Sequence, residues 1–265
     1  MKKVMLCLSV GLLFSTLSLA QTKCFLAKEG NNVIKQEGST CKIRYAPEST
    51  FKIPLGLMGY DAGILQDETT PVWPFKEGYN FFINVCKGPH NPKTWMRDSC
   101  VWYSQVITQK LGVAKFKEYI QKFNYGNQDV SGDPGKNNGL TNAWLSSSLQ
   151  ISADEQTSFL KKLSDNKLPV NARSHAQTKK ILFIQDLAGG WKLYGKTGSG
   201  RLRDENGIKS ELQHGWFIGW IEKQGRVVTF ASHIADDKKE DTFASFRAKN
   251  EALNKLWYLI DGFEK

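Results

Sequence analysis

The sequence predicts an α+β fold: a central antiparallel β-sheet built from both ends of the chain and flanked by helices, with a helical subdomain inserted between its two parts. Three observations support it. Strand-like runs fall between Cys24 and Glu37 and again after Arg173. Between them the apolar residues recur at helix spacing, as in Phe116, Tyr119, Ile120 and Phe123. The last stretch, from about Ser245 to Leu259, sets Leu253, Leu256, Trp257 and Ile260 on one helical face. Repeats and low-complexity linkers are absent, so residues 21–265 read as one domain. Its helical insert covers about 66–164, and its sheet-containing part about 21–65 and 165–265.

In chain order, the first element is a targeting segment. Met1-Lys2-Lys3 is followed by an uncharged stretch from Val4 to Ala20 that ends in the small-residue site Ser18-Leu19-Ala20. That pattern predicts a secretory signal peptide over 1–20. Ser9, Ser15, Thr16 and Ser18 interrupt the apolar run, which argues against a membrane anchor. No lipobox precedes Cys24. A soluble protein exported to the periplasm is expected. Cys24 to Lys28, a turn at Glu29-Gly30-Asn31-Asn32, and Val33 to Glu37 read as a β-hairpin. A helix that is apolar nearly all round then runs from Ser49 to a glycine stop at Ala62-Gly63. Ser152-Ala153-Asp154-Glu155 is a capping box opening a helix through Leu163. Strands are expected at Trp191 to Gly195, Trp216 to Ile221 and Val227 to His233.

The 265 residues carry a formal net charge of +10, or +8 once Lys2 and Lys3 leave. The basic residues are scattered without a block or an RNA-binding signature, so nucleic acid is not an expected partner and the charge reads as solubility plus attraction for anionic ligands. Four cysteines remain after Cys7 leaves with the signal: Cys24, Cys41, Cys86 and Cys100. In an oxidising compartment disulfides are reasonable, although four cysteines allow three pairings. The hairpin favours Cys24 with Cys41 and leaves Cys86 with Cys100; alternatively Cys100 is a small buried free thiol. No metal is expected, because no cysteine pair has zinc spacing and the four histidines contain no His-Glu-x-x-His.

Three short strings carry the chemistry: Ser49-Thr50-Phe51-Lys52, Ser99-Cys100-Val101 and Lys196-Thr197-Gly198. A serine hydroxyl is a weak nucleophile that needs a base within reach, and a lysine one helical turn on lies on the same face. Ser-x-x-Lys occurs four times, at Ser39, Ser49, Ser158 and Ser164. Context selects Ser49. Its lysine is the one charge in the stretch Phe51 to Tyr60, where low dielectric disfavours the ammonium and frees the amine to act as a base. Ser39 lies in a polar run, Ser158 on the wet side of its helix, and Ser164 at a helix stop.

On these strings the chain resembles the class D serine β-lactamases, the oxacillinase family of the penicillin-recognising transpeptidase fold. The likeness extends to Pro47-Glu48 before the nucleophile, Tyr125-Gly126-Asn127, Gly132-Asp133-Pro134-Gly135 and Trp144-Leu145-Ser146-Ser147-Ser148-Leu149, all in family order. Ser99 is preferred over Ser104-Gln105-Val106 because it stands 26 residues before Tyr125. Ser164-Asp165-Asn166, which imitates a class A signature, reads as a helix end.

The resemblance implies a β-lactamase/transpeptidase-like fold and hydrolysis of the β-lactam amide of penicillin-type antibiotics through a serine acyl-enzyme. It makes Ser49 the nucleophile. It makes Lys52 an N6-carboxylysine formed with carbon dioxide or bicarbonate, the general base for acylation and deacylation. Val101 and Leu145 would shield that carbamate and Trp144 would donate to it. Ser99 would relay a proton to the leaving nitrogen, with Lys196 supplying positive potential. The backbone N–H groups of Ser49 and Ser199 would form the oxyanion hole, and Thr197, Gly198 and Arg247 would bind substrate. The partner is then a small β-lactam, with the enzyme a monomer or homodimer. Loops around Trp95, Trp102 and residues 200–210 would set the spectrum. The competing readings are a penicillin-binding peptidase, which would carry Ser-x-Asn where Val101 stands, and a non-hydrolytic β-lactam sensor domain.

Overall fold

The computed structural model describes residues 22–204 and 206–265; the expected signal peptide lies outside them. Strands β1 (Thr22–Glu29) and β2 (Asn32–Glu37) form the hairpin. A 3-10 turn at Glu48–Phe51 runs into α1 (Lys52–Asp61), and Gly63 at φ 70° ends that helix where a left-handed residue is needed. The insert holds α2 (Pro92–Asp98), α3 (Val101–Phe123), α4 (Gly139–Asn142) and α5 (Ala153–Ser164). Then come α6 (Ala172–Leu182), β3 (Phe183–Asp186), β4 (Lys192–Arg203), β5 (Lys209–Lys223), β6 (Arg226–Ala235) and α7 (Ala244–Phe263). The six strands form one antiparallel sheet in the order β2-β1-β6-β5-β4-β3.

Burial explains this order. On β1, Cys24 and Leu26 face one core while Phe25 and Ala27 face another, the two-sided burial of an inner strand. Trp216, Ile218 and Trp220 of β5 join the first core, against the helical part. Phe217 and Ile221 join the second, against Ala248, Ala252, Leu256 and Ile260 of α7. The sheet therefore lies between α7 and the remaining helices. Helix α1 is buried along Lys52–Tyr60, as a helix apolar all round must be. Its Gly59 lets Leu65 approach to where a Cβ would be 2.8 Å from that side chain.

The expected strands run longer than their apolar centres, because the ladder extends into polar ends, and β3 is an additional edge strand too short to show a pattern. Helix α7 begins and ends close to expectation, but Trp257 is 57% exposed. It leaves the face that Leu256 and Ile260 share. The capping box at Ser152 and Glu155 forms as read, with both reciprocal bonds present. Both disulfides are formed, Cys24–Cys41 and Cys86–Cys100. Trp95 and Trp102 are fully buried, Trp95 stacked on Tyr103 and Trp102 donating to the Cys86 carbonyl. They build the core of the insert, which corrects the expectation that they line a substrate loop.

Candidate active site

The turn that carries Ser49 is shaped by its neighbours. Glu48 takes φ 52°, a left-handed conformation that costs a non-glycine residue roughly 1 kcal/mol or more. Two groups hold it: its N–H donates to the Trp144 carbonyl at 3.0 Å, and its buried carboxylate accepts from Ser146 Oγ at 2.6 Å. Thr50 Oγ1 donates to the Pro47 carbonyl and accepts from Gln156. Ser49 is thereby fixed at the entrance of α1, half-buried.

Lys52 begins α1 and its Nζ lies 3.1 Å from Ser49 Oγ, the one hydrogen bond among the described residues that joins two of the predicted catalytic side chains. The lysine is 1% exposed. Burial and the charge of Lys196 hold its pKa well below the usual lysine range, and the nearby Glu48 carboxylate opposes them. A neutral amine at this distance can accept the hydroxyl proton. Trp144 stacks on Phe51 with ring centroids 5.2 Å apart; Val101 is buried at the start of α3, and Leu145 is half-buried against the same core.

The family-like strings of the insert are braces for this region. Gly126, at φ 55°, brings its Cα so close to Gln150 that a Cβ would sit 2.1 Å from that carbonyl oxygen. Asn127 bonds Ser148 and Gln150, and Asp133 accepts from Ser147, Asn138 and Arg203. Together they fix the loop carrying Trp144 and Leu145.

Ser99 is the last-turn cap of α2, at φ 63° and ψ 32°, half-buried. Its successor Cys100 is tied to Cys86, so the disulfide anchors this unusual backbone position. Lys196 comes from β4, is 5% exposed, and is lowered to about 7 by burial and by the charge of Lys249.

Strand β4 reaches the Ser49 turn through its glycines. A Cβ on Gly198 would lie 2.9 Å from the Pro47 oxygen and 3.0 Å from the Ser49 and Thr50 nitrogens, all of them backbone. One on Gly200 would lie 2.1 Å from Glu48 Oε1. Strand β3 pairs only as far as Tyr194, so the edge of β4 beyond it faces the Ser49 turn without a strand in between. Ser199 donates to Ser245 Oγ at 2.6 Å on the α7 side. A methyl at 198 has no flexible side chain to displace. Gly198→Ala is therefore expected to reduce kcat/KM by roughly 10-fold or more, up to the 10²–10³ of a lost oxyanion donor. Steady-state kinetics on the folded variant measures it.

Arg247 is placed otherwise than a free anion binder. Its Nη2 donates to both oxygens of buried Asp236 at 2.8 Å, and its Nε donates to the Thr242 carbonyl. Lys249, two residues on, lines a cleft of about 740 Å³ with Lys196, Thr197, Lys93, Arg97 and Lys192. Ser49 and Ser99 are not on its wall. Glu48, Ser146, His214 and Lys249 were missed as contributors. His214 meets Glu48 at 3.3 Å and stands opposite Gly200 in the ladder, a register that no local pattern in the sequence reveals.

Of the other Ser-x-x-Lys matches, Ser39 is exposed, Ser158 Oγ donates to Asp154 with Lys161 paired to Asp165, and Ser164 closes α5. None places a lysine on its serine.

A serine and a desolvated lysine at the head of a buried helix, beside a Lys-Thr-Gly strand, define a serine acyl-transfer enzyme of the penicillin-recognising class. In agreement, residues 15–257 match the penicillin-binding protein transpeptidase domain. The chain is 40% identical over 278 residues to β-lactamase OXA-9 of Klebsiella pneumoniae, covering 98% of this chain and 99% of that protein. To OXA-1 of Escherichia coli it is 41% identical over 238 residues, 88% of this chain and 83% of that one. The crystal structure of the class D β-lactamase OXA-427 superposes with a TM-score of 0.86 at 43% identity, covering 91% of this chain and 99% of the other. The chain belongs to the class D serine β-lactamase family.

Proposed function

We propose that this enzyme hydrolyses β-lactams with Ser49 as nucleophile and a carbamylated Lys52 as the base of both half-reactions. The observation that carries the reading is the 3.1 Å approach of a fully buried, neutral-biased amine to the Ser49 hydroxyl. Only a neutral amine has the lone pair to add carbon dioxide, and the resulting carbamate is a carboxylate-like base in the same place. Val101 and Leu145 keep water from it, and the Trp144 indole N–H donates to it.

In acylation the base takes the Ser49 proton as Oγ attacks the strained carbonyl, and the N–H groups of Ser49 and Ser199 hold the oxyanion. The tight packing of Gly198 on the Ser49 turn supports that pairing. Ser99 passes a proton to the departing nitrogen. Lys196, Thr197 and Gly198 receive the substrate carboxylate, with Arg247 contributing if it shares its fork between Asp236 and substrate. The base then activates water to cleave the ester. The protein acts as one domain over 21–265, exported to the periplasm after loss of 1–20, as a monomer or homodimer. No helix of the described residues is long and apolar enough to cross a membrane.

Covalent mapping tests it. A slowly turned-over β-lactam is expected to add one acyl mass to the chain, on the peptide containing Ser49. Label on Ser39, Ser158 or Ser164 would overturn the assignment.

A further inference from the structure

Behind the Ser99–Val101 corner, His90 is 3% exposed and has both ring nitrogens engaged. Its Nδ1 is 2.9 Å from the Gly88 carbonyl, which can only accept, so Nδ1 carries the proton and Nε2 of the neutral ring presents a lone pair. That lone pair faces Cys100 Sγ at 3.2 Å and Asp98 Oδ2 at 3.3 Å. Neither a disulfide sulfur nor a carboxylate has a proton to give it. The arrangement is satisfied by a second proton on the ring or by a cation in that proton's place. A backbone carbonyl fixing Nδ1–H is also how metal-binding histidines are oriented. The donor atoms of Cys86, His90 and Cys100 lie within 4.8 Å of one another, and all three residues are buried.

We propose that, when a dithiol reductant opens the Cys86–Cys100 disulfide to two thiols and is itself oxidised to a disulfide, the chain binds one zinc-class cation through Cys86, His90 and Cys100, with Asp98 as the fourth ligand. Opening the S–S bond lets the sulfurs separate to the roughly 3.7 Å edge of a tetrahedral thiolate site. The metal displaces the two thiol protons to water. Two thiolates and one carboxylate against a divalent cation leave one negative charge, which Arg97, paired with Asp98 at 2.7 and 2.8 Å, offsets. A disulfide oxidant reverses the binding: it takes two electrons from the thiolates and is itself reduced to two thiols with protons from water, the S–S bond forms, and the cation leaves. The two states do the same mechanical work, tying the Asn84–Lys87 turn to the segment that carries Ser99. The site is a clamp, separate from the Ser49 chemistry. Sequence spacing did not indicate it, because two of the four ligands flank Ser99 while the other two come from the loop before α2.

The test uses the whole chain, reduced with a water-soluble phosphine and titrated with cobalt(II). One equivalent is expected to bind, with a thiolate-to-cobalt charge-transfer band and the visible absorption of a four-coordinate site, both bleached by one equivalent of zinc. The unreduced chain should give neither band. His90→Ala should lose the spectrum; Cys86→Ser, which removes one of the two thiolates, should lose the stoichiometric end point. The Cys24→Ser/Cys41→Ser double variant should keep both. As a second reading, zinc should raise the Tm of the reduced wild type and not that of reduced His90→Ala. A reduced wild type without the charge-transfer band, whether folded or not, overturns the proposal. So does a spectrum unchanged in His90→Ala.

Discussion

Ser49→Ala is expected to lower β-lactam kcat by at least about 10⁴-fold, the scale on which removal of a serine nucleophile acts in serine hydrolases. The fold should survive. Ser49 is half-buried, and the change removes one hydroxyl whose single side-chain partner among the described residues is Lys52, worth on the order of 1 kcal/mol. The turn itself is held by Glu48, Thr50 and Trp144, none of which the substitution touches. Steady-state hydrolysis and a thermal melt on the same preparation give the answer. Turnover near wild type with an unchanged Tm would place the nucleophile elsewhere.

Lys52→Ala should be almost as damaging, by roughly 10²–10⁴-fold, the usual contribution of a positioned base, and in acylation and deacylation alike. The pH dependence follows from the direction of the shift. Because burial and the charge of Lys196 hold the amine's pKa well below the ordinary lysine value, the neutral form that binds carbon dioxide is favoured over that of an exposed lysine. Lowering the pH traps it as ammonium, so activity should fall on the acid side and return with bicarbonate. Carbon-13 bicarbonate should give a carbamate NMR signal that is absent in Lys52→Ala. Val101→Asp, which places a carboxylate against the same amine, should block the modification and leave a protein that acylates but deacylates slowly. Hydrolysis indifferent to bicarbonate after acid treatment, with no labelled carbamate, would refute the base while leaving Ser49 in place.

Lys196 should set the opposite limb. At about 7 it loses its charge as pH rises, and with it the positive potential offered to the substrate. Carbamylation puts an anion where Lys52 had a neutral amine, which pulls Lys196 upward. The alkaline limb of kcat/KM is therefore expected to move to higher pH with added bicarbonate, and to disappear in Lys196→Arg, whose charge does not titrate in this range.

The sequence by itself determined the family, the Ser49–Lys52 pairing and the outline of the fold. A single lysine in an otherwise apolar helix already says that the amine is desolvated, because burial there is a property of the whole segment. The capping box, the glycine stop after α1, the first hairpin and the order of the motifs are likewise local signals, and each is found where it was read.

Only the tertiary structure decided what lies beside the site. Glu48, His214 and Ser146 meet across 98 to 166 residues of sequence, through a strand register set by the whole sheet. The ion pair holding Arg247 depends on Asp236, delivered by the end of β6. Trp95 and Trp102 could be read as loop residues from sequence, but aromatic stacking and the Cys86 carbonyl draw them inward. A side chain's partners are fixed by which elements pack together, and that packing is a sum over the whole core that no short stretch of sequence contains.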